Sequence, residues 1–123
     1  MGNFQFFEGL RQDVANMISE LGSKVLLKIP NIIHDAYGNE VNIEYDEVYE
    51  ELWIRPVNEV MQIENVGQMN YEDIRFEVSY DTKLILDTII IYQDQPYTVV
   101  SIDRPDTNEK TTHLVGYAKK RLS

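Results

Sequence analysis

The stretch from Thr82 to Asp103 constrains the fold of this chain more than any other. Its first arm, Asp87–Tyr92, holds three consecutive isoleucines, and its second arm, Tyr97–Asp103, is rich in valine and isoleucine. The four residues Gln93–Pro96 between the arms are few enough to form the loop of a β-hairpin. Because the isoleucine run does not alternate with polar residues, both faces of its strand should be covered. The pattern predicts a hairpin at the centre of a small barrel or sandwich, with the N-terminal segment as a candidate cover for its outer face.

An amphipathic helix is predicted over Phe4–Leu21, because apolar side chains recur there at steps of three and four. This stripe consists of Phe7, Leu10, Val14, Met17 and Leu21. Asn3 is a candidate N-cap, and Gly22 can end the helix because glycine adopts the left-handed backbone at little cost. We expect the helix to pack on the barrel of its own chain. The alternative is that its stripe, or the pair Phe4 and Phe6, docks a partner.

Four further segments have the alternating pattern of β-strands. They are Ser23–Pro30, which Pro30 should end, Ile43–Val60, Asp73–Tyr80 and Thr111–Ala118. Glutamates in the second of these also favour a helix over Tyr45–Leu52, but Trp53 and its neighbours favour a strand. A long acidic insertion with a mobile part is predicted at about residues 39–72, where Gly67 and two asparagines weaken the pattern.

The chain is predicted to be mainly β: a small β-barrel or compact sandwich of about six strands with one N-terminal helix. Its 123 residues should form a single domain, with the barrel over 23–118 and a short basic tail over 119–123. The predicted core residues are Val25, Leu27, Trp53, Ile74, Phe76, Val78, Ile89, Ile91, Tyr97, Val99, Val100 and Ile102. In the tail, Lys119, Lys120 and Arg121 are candidate contacts with a neighbouring protein.

Composition argues against several classes of function. A net charge of −10 disfavours sequence-independent binding to DNA, RNA or anionic membranes, all of which need basic residues. No apolar run reaches the roughly 18 residues that span a bilayer. The chain has no cysteine, and its two histidines, His34 and His113, lack the spacing of a zinc site. Phosphate loops and nucleophile elbows are also missing, so neither an enzymatic activity nor a cofactor is predicted.

Acidic residues crowd one segment that contains no lysine or arginine. They are Glu40, Glu44, Asp46, Glu47, Glu50 and Glu51. Three interpretations are open: a solvated surface, a calcium site, or a surface that repels nucleic acid or meets a basic partner. The spacing differs from that of an EF-hand loop, which disfavours calcium.

The order of these motifs resembles the head–tail joining proteins of long-tailed bacteriophages, also called head-completion or stopper proteins. Members of that family have a first strand, a D-x-x-G turn, a strand with tryptophan, an alternating strand, a hairpin and a last strand. The matching segments run from about Ser23 to Lys119. They are Val25–Ile29, Asp35–Gly38, Leu52–Ile54, Ile74–Val78, Ile89–Val99 and His113–Ala118. Asp94 stands where the family's hairpin turn has glycine.

The resemblance implies a structural virion protein without enzymatic activity. Such a protein would form a ring of roughly six or twelve copies beneath the portal or adaptor, and dock the tail terminator or tail tube below. It would be made in the host cytoplasm and reside in the virion neck, where DNA passes without specific binding. The acidic segment would then face the DNA channel or a partner, and Phe4, Phe6 and the basic tail would contact neighbours.

Three alternatives remain open at this point. The first is another neck protein, such as a tail terminator. The second is an acidic inhibitor or immunity protein that mimics DNA, although its carboxylates should be spread along a surface and not concentrated in one segment. The third is a barrel that binds oligonucleotides or sugars on Tyr92, Tyr97 and Tyr117.

Overall fold

The computed structural model describes residues 12–13, 16–18, 20–63, 66–103, 106–107, 110–111 and 113–121. The barrel strands among these are β1 (Ser23–His34), β2 (Glu40–Pro56), β5 (Ile74–Ser79), β6 (Ile89–Tyr92), β7 (Gln95–Asp103) and β10 (His113–Lys120). They close in the order β1-β2-β5-β10-β7-β6, and every pairing is antiparallel. Two short two-stranded sheets lie outside the barrel: β3 (Met61–Ile63) with β4 (Gly67–Met69), and β8 (Asp106–Thr107) with β9 (Lys110–Thr111). The prediction of a mainly β barrel of about six strands is confirmed.

The predicted central hairpin is formed by β6 and β7. Its loop has two residues instead of the four expected, because Tyr92 already pairs with Gln95. Gln93 and Asp94 take φ angles of 52° and 62°. Two positive φ angles in a two-residue loop match the twist of the flanking strands, and aspartate tolerates this backbone better than most residues. Asp94 therefore serves in the turn position where the resembling family has glycine.

The isoleucine run is covered unevenly on its two faces. Ile90 is fully buried in the barrel core, Ile89 is 8% exposed, and Ile91 is half-buried. The prediction of a core position is confirmed for Ile89, which is buried, and is wrong for Ile91. Alternate strand residues point to opposite faces, and Ile90 takes the position inside the core cluster.

The core cluster contains six of the twelve predicted residues. These are Val25, Leu27, Ile74, Phe76, Val78 and Val99; Tyr97 and Ile102 pack partly buried against them. Trp53 and Val100 are half-buried outside the cluster. The prediction for Trp53 was wrong because Leu52, fully buried, and Ile54 take the inward positions on β2. The indole lies instead under the guanidinium of Arg55, whose Cζ is 4.2 Å from the ring centre.

A short helix precedes the barrel. Its described residues, 12–13, 16–18 and 20–21, are helical. Ile18 is 2% exposed, whereas Met17 and Leu21 from the predicted stripe are 38% and 54% exposed. The predicted buried stripe is therefore wrong at these two positions. Phe4, Phe6, Phe7, Leu10 and Val14 lie outside the described residues.

Gly22 ends the helix for a different reason from the one predicted. Its φ is not positive. A Cβ placed on it would lie 2.4 Å from the carbonyl oxygen of Ile18 and 2.8 Å from that of Leu52. Glycine is needed here because the backbone of the helix end packs directly on β2.

Two boundaries in the first half of the barrel also differ from prediction. β1 continues through Pro30 to His34, because its pairing with β6 ends at Lys28 and a strand with one free edge tolerates proline. The segment expected to form an insertion at 39–72 is largely strand, since Glu40–Pro56 is β2 and its last five residues pair with β5. The strand interpretation of Ile43–Val60, preferred over the helix, is confirmed for this part.

Candidate interaction surfaces

The barrel carries a long two-stranded extension, which we call the ribbon. It comprises residues 29–34 of β1, residues 40–51 of β2 and the turn between them. β1 is held by β6 only at Leu26–Lys28, and β2 is held by β5 only at Leu52–Pro56. The ribbon strands therefore pair with each other and leave one edge of each strand free. All residues of β2 from Glu40 to Glu47 are exposed.

The tip of the ribbon is fixed by Asp35. Its Oδ1 accepts hydrogen bonds from the backbone N–H groups of Tyr37 and Asn39, both at 2.9 Å. These bonds, that from Asn39 first, lower the pKa of Asp35 below its ordinary value. Gly38, with φ of 83°, completes the turn. Tyr37 is held at the tip with 90% of its surface exposed.

The six acidic candidates divide into two groups. Glu50 is half-buried and holds the turn after β5: its carboxylate accepts bonds from the Thr82 hydroxyl and, at 3.1 Å, from the Lys83 backbone N–H. The other five are exposed: Glu40, Glu44, Asp46, Glu47 and Glu51. Glu47 lies 4.0 Å from the ammonium of Lys28 across the ribbon. Five carboxylates are thus available to a partner or to a channel, and Glu50 is a structural residue.

The two faces of the ribbon differ in chemistry. Glu44 and Asp46 lie on one face, opposite Asn31 and Ile29 of β1. The other face carries cross-strand pairs of apolar residues, Ile32 with Ile43 and Pro30 with Tyr45. Together with Ile85 and Leu86, these four residues line a groove of about 460 Å³. One face of the exposed ribbon is therefore acidic, and the other, which we call the apolar face, is apolar near the tip and carries Glu47 and Glu51 nearer the barrel.

The predicted basic tail begins as part of a strand. Lys119 and Lys120 are the last residues of β10 and are half-buried. The Lys120 backbone N–H donates to the buried carboxylate of Asp73 at 3.0 Å, and the Arg121 N–H donates to the Pro96 carbonyl at 3.0 Å. These residues close the barrel at β7, so the prediction of a free tail was wrong for 119–121.

A cluster of cations on the outer barrel face was missed by sequence reasoning. Arg55 on β2 stands directly opposite Arg75 on β5. Both guanidiniums point at one carboxylate, Glu77: its Oε2 is 3.1 Å from Arg55 Nη2, and its Oε1 is 3.9 Å from Arg75 Nη2. His113 Nε2 lies 3.6 Å from the same Oε1. Glu77 thus meets two permanent cations, and a second carboxylate, Glu59, lines the adjoining cavity.

This cluster borders a cavity of about 410 Å³, which we call the arginine pocket. Its walls include Arg55, Arg75, Asn58, Glu59, Met61 and Tyr117. Arg55 and Arg75 are distant in sequence, and only the register of β2 on β5 brings them together. A sequence signal did exist. Each arginine occupies an outward position in the alternating pattern of its strand, and basic residues are a minority in this chain.

The described part of the chain contains no group of three or more potential metal ligands. Within the same residues, no helix has the length and apolar character needed to cross a membrane.

No family model and no curated protein matches the chain. Among similar solved structures is the protein xkdH of the phage-like element PBSX from Bacillus subtilis. It is 13% identical, with a TM-score of 0.47, over 80% of this chain and 95% of that one.

Proposed function

We propose that this protein is a structural subunit of a phage head–tail connector, of the head-completion or stopper type. Copies of it would form a ring beneath the portal or adaptor, retain the packaged DNA and present a docking surface to the tail. The observation that carries the proposal is the ribbon: an exposed, acidic extension of a closed barrel in which each strand has one free edge. The order of sequence motifs shared with head–tail joining proteins supports the same function.

The charges of the ribbon suit a channel through which DNA must slide. Basic residues would bind phosphates and release counterions, which would hold the duplex in place. Glu44 and Asp46 would instead repel it, and a ring repeats this repulsion in every copy. The apolar face, with Ile43 and Tyr45, suits protein contact because exposed apolar patches of this kind mark interfaces. We therefore assign the acidic face to the channel or its rim, and the apolar face to packing within the connector.

The function is tested first by interrupting the gene in the phage that encodes it. DNA-filled heads that lack tails and lose their DNA are the expected product, visible by electron microscopy. Tailed, infectious particles at normal yield would exclude a connector role. Antibody labelling of wild-type particles should mark the neck, and labelling along the tail end would favour the tail terminator alternative.

The role of the acidic face is tested separately by Glu44→Lys combined with Asp46→Lys. This variant should fold normally, since both side chains are exposed, but the yield of infectious particles should fall by about tenfold or more because lysines bind phosphates. Glu72→Lys with Asp103→Lys is the matched control, with the same change of charge on exposed carboxylates outside the ribbon. Equal titres for both variants would contradict the assignment.

A DNA mimic is the competitor from a different class. The ribbon carries carboxylates on two opposite faces, whereas a DNA mimic would carry a row of them along a single surface. Retention of a nuclease or restriction enzyme on the immobilised protein, lost in the Glu44→Lys and Asp46→Lys variant, would support the mimic and count against the connector.

A further inference from the structure

The groove beside the ribbon, which we call the apolar groove, leaves several large apolar side chains uncovered. They are Ile32, Ile43, Tyr45, Ile85 and Leu86. Each has 44–53% of its surface exposed. Five large side chains exposed to this extent present roughly 400–500 Å² of apolar surface, which is near the upper limit for a patch on a monomer and marks an interaction site. Asp87 and Arg121 also line the groove, one charge of each sign, so apolar contact and not net charge selects what it binds.

The helix leaves a second apolar surface uncovered. Met17 and Leu21 belong to its apolar stripe and lie one turn apart on the same face, yet they are 38% and 54% exposed. The helix is held on its own barrel by Ile18, which is 2% exposed and lines a separate cavity with Glu50 and Thr82. No described residue of the helix lines the apolar groove. Much of the surface of Met17 and Leu21 is therefore left uncovered by the described part of their own chain.

We propose that the apolar groove receives the helix of a second copy of this chain, through the stripe that includes Met17 and Leu21. The inference rests on the proposed function, in which the apolar face of the ribbon packs within the connector. An amphipathic helix laid into an apolar groove is a recurrent mode of recognition, with anchors three and four residues apart. Groove and helix are different surfaces of one chain, so the contact is head-to-tail. Each pair keeps one free groove and one free helix, and repetition of the contact closes a ring.

The size of the two surfaces suits a contact that is repeated in an assembly. If the helix covers the groove, each side loses about 400–500 Å², and the total is near the roughly 1,000 Å² at which specific interfaces begin. A single contact of this size is weak, but in a closed ring every copy is held by two of them, which strengthens the assembly. The contact uses the apolar face of the ribbon, so Glu44 and Asp46 on the opposite face stay available to the channel.

Single substitutions on the two surfaces test this contact. Leu21→Lys should disable the helix and Ile43→Lys the groove, and both variants should fold because both side chains are exposed. Each change adds a positive charge to a chain of net charge −10, so greater repulsion between copies cannot explain a loss of association. Sedimentation equilibrium at up to about 1 mM should show reversible association of the wild type and a dissociation constant at least about tenfold higher for each variant. A wild type that stays monomeric overturns the proposal.

Mixing the two variants gives the sharper test, because each retains the surface that the other has lost. Equal amounts of Leu21→Lys and Ile43→Lys should form a one-to-one dimer and nothing larger. Val60→Lys is the matched control and should associate like the wild type, since Val60 is 51% exposed and lies outside both surfaces. A mixture that stays monomeric, or association that only one of the two variants weakens, overturns the proposal. Met17→Lys replaces Leu21→Lys if circular dichroism shows that Leu21→Lys has not folded.

These outcomes are distinct from those that test the proposed function. Neck labelling of particles together with a mixture that stays monomeric keeps the connector role and removes this contact. A one-to-one dimer in the mixture without neck labelling keeps the contact and removes the connector role.

Discussion

Gly116 on β10 is the position where the addition of one methyl group should disturb the barrel most. It lies inside the barrel, opposite Phe76 of β5. A Cβ at this position would lie 2.4 Å from Phe76 Cζ and 2.5 Å from the Ser101 carbonyl oxygen. Both distances are shorter than van der Waals contact, and the carbonyl belongs to a strand that is paired with β10. Gly116→Ala therefore forces either the ring or the β7 backbone to move.

The magnitude follows from two opposing effects. Overpacking a core costs about 1–3 kcal/mol, and replacing glycine by alanine returns about 0.4–1 kcal/mol by restricting the unfolded chain. We expect Gly116→Ala to lower the free energy of unfolding by about 1–2 kcal/mol. Urea denaturation followed by the fluorescence of Trp53, the single tryptophan, should show a lower midpoint with an unchanged slope.

A second substitution separates the two clashes. Phe76→Leu removes the ring atoms that approach Gly116, so the double variant should show a favourable coupling of about 1 kcal/mol. No coupling would assign the cost to the Ser101 carbonyl instead. Gly67→Ala is the control: open space surrounds it, but its φ of 105° penalises any side chain, and Phe76→Leu should not relieve that cost. A Gly116→Ala protein as stable as wild type would refute the packing argument.

Three further predictions concern single polar side chains. Asp35→Ala should speed hydrogen exchange at the two tip amides that Asp35 holds. Folding lowers the pKa of Asp35, so the stabilisation of the tip by its carboxylate is present above the ordinary value of 3.8 and is lost as the pH falls through the lower folded value. Protection factors of the two tip amides, measured by NMR, that stay constant across this pH range would contradict this. Thr88→Val should cost about 1–3 kcal/mol in urea denaturation, because the buried Thr88 hydroxyl accepts the Ile85 N–H at 3.1 Å. Asp73→Ala should cost about 2–3 kcal/mol and speed exchange of the Lys120 amide, and protection of that amide equal to wild type would count against its hydrogen bond to Asp73.

The pattern of apolar and polar residues within each segment was sufficient to predict the barrel. It did not predict, for every strand, which side chains point into the core. β5 alternates so clearly that Ile74, Phe76 and Val78 were placed in the core from sequence alone. The isoleucine run has no alternation, so nothing in it distinguishes Ile90 from its neighbours. The large size of Trp53 suggested a core position, whereas its parity on β2 assigns it to the outside.

The interaction surfaces depend on register, which sequence reasoning did not provide. The acidic segment was visible as composition, but its extension beyond the barrel follows from where pairing with β5 and β6 stops. Pro30 was predicted to end β1. A strand tolerates proline where one of its edges is free, and only the topology reveals that β1 has such an edge. The pairing of Arg55 with Arg75 likewise depends on how two distant strands align.

A single strand, β2, serves both the barrel wall and the ribbon, and this has a mechanical consequence. A load applied to the tip along the strand axis reaches the barrel at Leu52–Pro56. There the hydrogen bonds between β2 and β5 lie perpendicular to the direction of pull. The hydrogen bonds of that ladder are then strained together, in shear, and do not open one after another like a zipper. A subunit built this way can transmit tension from its tip to its body without unravelling at the junction.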